Sequence, residues 1–171
     1  MVSQDKRTLL VVFRRDLRVA DNPIIHHIAT SKELGYAYLL PVYVFPAHQT
    51  ELSGFIQGGA ENPHPEAKSR VGGYWRCGPH RATFIGQAVW DVKESLEALG
   101  SGLVIRVGDI VGAVGDLVKG LQQNSHSVGA IWMTSHEGTE EHDDQKAVSS
   151  LCEETGAQFK IWTDEKYFID E

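Results

Sequence analysis

Residues 8–13 read TLLVVF, and residues 14–21 read RRDLRVAD. The first stretch is short, nearly continuous in apolar side chains and rich in Val and Leu, a pattern typical of a strand buried on both faces of a parallel sheet. The second stretch is a polar loop. Asn22 and Pro23 follow it and predict a helix start, with Asn22 as the N-cap and Pro23 in the first helical position.

The helix that starts there carries Ile24, Ile25, Ile28 and Leu34 at roughly helical spacing. Gly35 is its expected C-cap, because glycine adopts the left-handed backbone conformation that commonly ends a helix.

The rest of the chain repeats this alternation. Further strand-like runs lie at 38–45, 103–107, 128–133 and 158–162. Further helices are predicted over 81–99 before Gly100, from Asp109 onward with Asp109 as the N-cap, and over 139–155 before Gly156. Strict alternation implies right-handed crossovers between parallel strands. We therefore expect an α/β fold, a three-layer Rossmann-like sheet of five parallel strands with helices on both faces.

Residues 46–80 interrupt the pattern with four prolines and two glycine pairs. Loops longer than about 12–15 residues are usually functional or disordered. Because this stretch also contains Phe55, Tyr74 and Trp75, we expect an ordered, partly packed loop.

Composition limits the possible functions. The 171 residues include 16 Lys and Arg and 23 Asp and Glu, which gives a formal net charge of −7. This balance argues against a domain that grips nucleic acid by itself, since such binding depends largely on Lys and Arg. Cys77 and Cys152 fit no disulfide framework and no zinc spacing. With no secretory signal and no run of about 18 apolar residues, we expect an intracellular, soluble protein.

Ligands of parallel sheets bind beyond the carboxyl ends of the strands, where the strand order reverses. The loop after the first strand carries charges of both signs at Arg14, Arg15, Asp16, Arg18 and Asp21. One interpretation is a hydrogen-bonded loop that fixes the helix entry and an interdomain surface. The other is an anion or cofactor contact at the end of the central strand.

A second polar stretch, HEGTEEH over 136–142, follows the fourth strand. It fails the zinc-protease pattern HExxH, because Glu140 takes the place of the second histidine. The carboxylates that begin the next helix are explained by its dipole, namely Glu140, Glu141, Asp143 and Asp144. His136 and Glu137 come directly after the strand, where a ligand would lie.

Other features favour structural roles. The glycines over 108–115 follow GxxxGxxG, which matches neither nucleotide-binding motif and favours close helix packing. His26 and His27 are interpreted as a surface or partly satisfied pair. The four tryptophans are scattered along the chain and are expected to pack in the core, namely Trp75, Trp90, Trp132 and Trp162.

Several stretches resemble the photolyase/cryptochrome family. Residues 12–23, VFRRDLRVADNP, look like its amino-terminal signature. Residues 76–84, RCGPHRATF, together with 89–96, VWDVKESL, resemble the DASH branch. The Gly-rich insertion 54–73 resembles its fungal members, and residues 134–141 also agree with that branch.

The resemblance implies a larger protein, in which a helical carboxyl-terminal domain holds FAD, a tryptophan relay and the DNA groove. The α/β domain then holds only part of the site of an antenna, commonly methenyltetrahydrofolate, and shares that site with the helical domain. In this family a Glu after the fourth strand contacts the pterin ring. That Glu matches Glu137, and the preceding pterin-side residue matches His136. With Arg14, these are the expected cofactor-binding residues, and no catalytic or metal-binding residue is expected.

The sequence stops at Asp170 and Glu171, about where the family's linker begins, so residues 1–171 are expected to be one antenna domain without the helical FAD-binding domain. The expected function is that of an antenna and scaffold in a DASH-type cryptochrome, which repairs pyrimidine dimers, chiefly in single-stranded DNA, or senses blue light. No catalysis is expected from this chain alone.

The expected partners are the helical domain, DNA only through the full-length protein, and a second copy through the exposed interdomain face. Two alternatives remain open: a free-standing nucleotide- or flavin-binding module, and a truncated regulatory partner.

Overall fold

The computed structural model describes residues 7–50, 61 and 63–164, which form a single five-stranded sheet with helices on both sides. The strands are β1 Arg7–Phe13, β2 Tyr38–Pro46, β3 Val104–Gly108, β4 Ser127–Thr134 and β5 Gln158–Trp162. The helices are α1 Pro23–Thr30, α2 Pro79–Ala98, α3 Ile110–Gln123 and α4 Thr139–Thr155. All neighbouring strands are parallel. The predicted α/β class is confirmed.

The strand β1 lies at the centre and separates two apolar layers. Leu10 and Val12 are fully buried in the cluster that contains the inner faces of α3 and α4. Leu9, Val11 and Phe13 point to the other side, into the cluster that contains α1 and α2. The near-continuous apolar run of β1 therefore results from burial on both faces.

The strands lie in the order β3-β2-β1-β4-β5. The chain runs outward from β1 through β2 to β3, and then returns to the other side of β1 for β4 and β5. The order therefore reverses between β1 and β4, and the loops that leave these two strands diverge. A crevice at this position is the usual ligand site of such sheets.

Side-chain caps begin two of the helices as predicted. The Asn22 side chain accepts hydrogen bonds from the backbone N–H groups of Ile24 and Ile25, at 3.0 and 3.2 Å. Asp109 caps α3 by accepting from the Gly112 N–H at 2.7 Å. Helix α4 ends at Gly156, which has the left-handed conformation with φ of 73°.

The predicted end of the first helix at Gly35 is wrong, because α1 ends at Thr30 and Ser31 is extended. No apolar residue occupies position 31 or 32, so the helical face is not continued beyond Ile28. Leu34 packs on the core from the following loop instead.

The described part of residues 46–80 is packed only in part, because Tyr74, one of the aromatic residues that favoured a packed loop, is 78% exposed. Ala67 is buried, and Lys68 and Trp75 form an isolated antiparallel bridge. Phe55 and the glycines before residue 61 lie outside the described residues. Helix α2 starts at Pro79, two residues earlier than its predicted start at residue 81.

Core packing is confirmed for Trp132, and Trp162 stacks against it with ring centroids 5.3 Å apart. The same prediction is wrong for Trp75 and Trp90, which are 50% and 53% exposed. Trp75 lies in the loop under the Lys68 ammonium group. Trp90 lies off the face of α2 that is buried.

His27 and, of the glycines over 108–115, Gly115 have the structural roles expected of them. The His27 ring packs against Trp132 and Trp162. Gly115 is buried against Leu151 of α4. Among the described residues, no helix is long and apolar enough to cross a membrane.

Candidate functional site

A cavity of about 280 Å³ opens at the carboxyl ends of β1 and β2. Its apolar wall is formed by Leu17, Tyr43, Val44, Pro46, Phe84, Ile85 and Ile110. Its polar lining includes Arg14, Arg15, His48, Cys77, Arg81, Glu141 and Asp144. A largely apolar hollow with a few convergent polar groups is the common form of a small-molecule site.

Arg14 connects the two strands at which the sheet order reverses. It follows β1, and its Nη2 donates to the backbone carbonyl of Thr134, the last residue of β4, at 2.6 Å. Its Nη1 donates to the carbonyl of Glu141 in the first turn of α4 at 3.2 Å. Its Nε is buried and has no partner within the described part of the chain. Burial lowers the pKa of Arg14, and the charges of Asp144, Asp16 and Glu141 oppose this effect.

The loop after β1 is fixed by its own hydrogen bonds. The buried Asp16 carboxylate accepts from the Arg14 backbone N–H at 2.9 Å and from the Asn22 amide at 3.0 Å. Arg18 pairs with Asp164, beyond the end of β5. The sequence left open whether this loop is a structural brace or faces a ligand. The structure shows the brace, and it also places Arg14 at the cavity.

Glu141 lies in the first turn of α4 and pairs with Arg15. Its side chain is only 12% exposed, and the partial positive charge at the start of the helix favours a carboxylate there. The N-cap Gly138 leaves room for the Glu141 carboxylate, because a Cβ at position 138 would overlap Glu141 Oε2.

Glu140 points to a different set of partners. It accepts from Arg76 at 2.5 and 2.7 Å and from the Gln49 amide at 3.0 Å. The hydrogen bond from Arg76 is the main reason why the pKa of Glu140 is lowered. Glu140 thus connects the start of α4 with the segments that follow β2 and precede α2.

Asp144 lies one turn after Glu141 on the same helix and also lines the cavity. It is half-buried, and burial raises its pKa, while Arg14 and His48 act in the opposite direction. From the sequence, both residues were expected only to be charges near a helix start. Their i, i+3 spacing, which places two side chains on one helix face, was the available signal.

The three residues expected to bind a cofactor occupy different positions. Arg14 lines the cavity. His136 is half-buried and does not line the cavity; its Nε2 lies 3.4 Å from the Thr134 hydroxyl, and its pKa is lowered first by burial and then by Arg14. The Glu137 side chain is 94% exposed, lies 3.7 Å from the His142 ring and does not line the cavity.

The chain is thus an α/β domain with a cavity at the carboxyl ends of β1 and β2. The sequence profile of the family described as DNA photolyase matches residues 9–168, and the chain belongs to that family.

The curated relatives include DASH cryptochromes from fungi. The chain is 51% identical over 164 residues to the mitochondrial cryptochrome DASH of Neurospora crassa. The aligned region covers 95% of this chain and 22% of the relative. It is 49% identical over 165 residues to the cryptochrome DASH of Gibberella zeae. The aligned region covers 96% of this chain and 24% of that protein. The chain thus spans about a quarter of these relatives, and the predicted resemblance to the DASH branch is confirmed.

Solved structures share the fold. A cryptochrome from Synechocystis matches 92% of the chain and 27% of its own length, with a TM-score of 0.72 and 24% identity. An archaeal photolyase from Sulfolobus tokodaii, described with two FAD molecules, matches 92% of the chain and 29% of its own length, with a TM-score of 0.62 and 19% identity.

Proposed function

We propose that this chain is the antenna and scaffold domain of a DASH-type cryptochrome, and that its cavity holds a folate-type chromophore, methenyltetrahydrofolate. The observation that carries this proposal is the polar end of the cavity. There Arg14 holds the ends of β1 and β4 together beside the carboxylates of Glu141 and Asp144. The chromophore would absorb light and pass the energy to FAD held by a helical domain of the same protein.

The cavity has the size and the surface for one flat ring system. Its volume of about 280 Å³ lies just below the range of about 300–1,000 Å³ for ligand pockets. Tyr43 and Phe84 offer aromatic surface to the faces of a ring. Carboxylates at one end are acceptors for the N–H groups along a pterin edge.

His136 and Glu137 are proposed as residues of the rim. His136 is not part of the cavity lining, but burial and then the charge of Arg14, which does line the cavity, lower the pKa of His136. The Glu137 carboxylate would contact only a part of the ligand that extends outside the cavity, because it is 94% exposed.

The activity of the complete protein is a proposal of the same kind. We propose that FAD binding, DNA binding and blue-light repair of pyrimidine dimers or photoreception require the helical domain, and that this chain alone catalyses no reaction. Phe84 and Trp90 are 70% and 53% exposed on α2, and they are the proposed contact for that domain or for a second copy. We propose an intracellular location, because both cysteines are unpaired and disulfides are rare in reducing compartments.

Titration of the chain with methenyltetrahydrofolate, FMN and ATP in separate experiments tests the proposal. We expect saturable binding of the folate, seen as a shift of its near-ultraviolet absorbance. The variant Glu141→Gln should weaken folate binding about tenfold, because a hydrogen bond to a charged group is lost. The matched variant Glu153→Gln removes the same charge at an exposed position of α4 outside the cavity and should leave the affinity unchanged.

Two results would contradict the proposal. The absence of saturable folate binding would remove the antenna function from this chain. Tighter binding of ATP or FMN than of the folate would favour a nucleotide- or flavin-binding module instead.

A further inference from the structure

Residues 67–76, between β2 and α2, form a short hairpin outside the cavity. Lys68 and Trp75 make an antiparallel bridge. The backbone N–H of Ser69 donates to the carbonyl of Tyr74 at 2.8 Å and closes the turn at the tip. The 67–76 hairpin is therefore a defined structure with its own hydrogen bonds.

The base of the hairpin is attached to the rest of the domain. Ala67 is 2% exposed, and its carbonyl accepts from the backbone N–H of Arg76 at 2.9 Å. The Arg76 side chain pairs with Glu140 at the start of α4. The fold thus holds the base, while the turn at the tip lies in water.

The tip of the hairpin carries apolar and aromatic side chains that the fold leaves uncovered. Val71 is 99% exposed, Tyr74 is 78% exposed and Trp75 is 50% exposed. Single exposed apolar residues are common on protein surfaces. Three such side chains within five positions of one turn form a patch, and exposed apolar patches mark interaction sites.

The hairpin also lies in a segment without negative charge. Residues 67–90 contain four Lys and Arg and no Asp or Glu, in a chain with a net charge of −7. Arg70 is exposed and has no partner within the part of the chain that the structure describes. The Lys68 ammonium group pairs with Glu66 at the surface, and such pairs contribute little, so it can exchange this partner for another anion.

We infer that the 67–76 hairpin is a contact for the surface of an anionic lipid bilayer. Val71 enters the boundary of the acyl chains, Tyr74 and Trp75 lie at the level of the headgroups, and the neighbouring cations meet the lipid phosphates. This surface is separate from the cavity, so the inference does not depend on the antenna proposal.

The order of side chains along the hairpin matches the layers of a bilayer surface. The most exposed side chain, Val71, is purely apolar, and the two rings behind it have a polar N–H or O–H group. Trp and Tyr are enriched at membrane interfaces, and Lys and Arg are attracted to anionic lipids. The long stem of Arg70 lets its charge reach back from the tip to the headgroups. Apolar burial and charge attraction together provide binding at such a surface.

A single-stranded nucleic acid fits this hairpin less well. Bases stack on open faces of aromatic side chains. The Lys68 ammonium group already lies over the Trp75 ring, 4.6 Å from its centroid. The Tyr74 ring packs against Gly72, where a Cβ would overlap it. Val71, the most exposed residue of the hairpin, would have no role in contacts with bases or phosphates.

Cosedimentation with lipid vesicles tests the inference. The chain is mixed with vesicles of phosphatidylcholine alone, or of phosphatidylcholine and phosphatidylserine in equal parts. We expect binding to the second kind only, and added salt should weaken it. Val71→Asp should weaken this binding about tenfold or more, because the apolar tip is lost. Leu99→Asp places the same charge at a residue that is 70% exposed outside the hairpin, and should bind as the chain does.

Tryptophan fluorescence gives a second measurement, which applies even if Val71→Asp does not fold. Brominated lipids in the anionic vesicles should quench the fluorescence of the unaltered chain, because Trp75 lies among the headgroups. Trp75→Phe keeps an aromatic ring and should lose most of this quenching. Equal quenching of the chain and of Trp75→Phe would overturn the inference.

Three further results would overturn it. The first is a lack of binding to the anionic vesicles, including the case in which the chain binds a single-stranded oligonucleotide instead. The second is equal vesicle binding by the chain and by Val71→Asp. The third is a change of oligomeric state in Val71→Asp without lipid, which would make the hairpin a contact between copies. Folate titration contains no lipid, so the antenna proposal is tested separately.

Discussion

The Nη2 atom of Arg14 lies 2.6 Å from the backbone carbonyl oxygen of Thr134. Arg14 follows β1 and Thr134 ends β4, so this hydrogen bond closes the sheet edge where the strand order reverses. The same guanidinium reaches the carbonyl of Glu141 at 3.2 Å. One side chain therefore joins the end of β1 to the end of β4 and to the start of α4, at the polar end of the cavity.

The substitution Arg14→Met should remove both hydrogen bonds and leave their carbonyl acceptors without this donor. We expect the free energy of unfolding in urea to fall by about 1–3 kcal/mol. Arg70→Met is the control, because Arg70 is exposed and its substitution removes the same charge. Equal stability of the two variants would show that the Arg14 contacts do not stabilise the fold.

The substitution Gly138→Ala should disturb the site more than the fold. Its Cβ would overlap Glu141 Oε2, so the carboxylate must leave its position beside Arg15. We expect weaker folate binding, measured by titration, with a loss of stability of about 1 kcal/mol or less at this helix cap.

Gly120→Ala is the matched control for that change. Gly120 lies within α3, and a Cβ there meets no atom within 4 Å. It should raise the stability by about 0.5–1 kcal/mol, because alanine favours a helix over glycine. Unchanged folate affinity in Gly138→Ala would show that the Glu141 position does not matter for binding.

The contact between Glu140 and Arg76 should make stability depend on pH. Arg76 lowers the pKa of Glu140 in the folded chain. The contact therefore stabilises the fold above the unfolded pKa of Glu140, and this stabilisation is lost as the pH falls through the lower folded pKa. Because Glu140 is 46% exposed, the effect should be below about 1 kcal/mol.

Urea unfolding of the chain and of Glu140→Gln at neutral and acidic pH measures this effect. The chain should be the more stable of the two at neutral pH, and the difference should shrink once the carboxylate is protonated. Glu137→Gln, at a carboxylate that is 94% exposed, should show no comparable difference. A difference for Glu140→Gln that is the same at both pH values would contradict the assignment to this ion pair.

Much of the fold could be predicted from local patterns. Apolar runs bounded by polar loops located the strands, and Asn22, Asp109 and Gly156 marked helix ends correctly. The end of α1 was missed because Leu34 reaches the core from a loop, and the pattern alone does not distinguish this from a longer helix. The exposure of Trp90 was missed because a large apolar residue is usually buried.

The site was less predictable because its contacts connect distant parts of the chain. Arg14 and Thr134 are 120 positions apart, and Arg76 and Glu140 are 64 apart. The loops after strands were the right places to search, since parallel strands present their carboxyl ends at one edge. No local pattern shows which of the carboxylates after β4 faces the cavity. Only the tertiary structure places Asp144 in the cavity lining.

Protection of Cys77 from alkylation tests most directly whether the folate occupies the cavity. Cys77 is half-buried in the cavity lining. Cys152 is an internal reference, because it is 1% exposed and burial raises its pKa to about 11. At about pH 8 iodoacetamide should therefore modify Cys77 well before Cys152, because the thiolate is the reactive form.

The measurement is the rate of Cys77 alkylation, followed by mass spectrometry at increasing concentrations of methenyltetrahydrofolate. The account predicts that the rate falls along a saturation curve while Cys152 stays unmodified. A rate of Cys77 alkylation that does not change at any folate concentration would contradict the central claim that this cavity holds the chromophore.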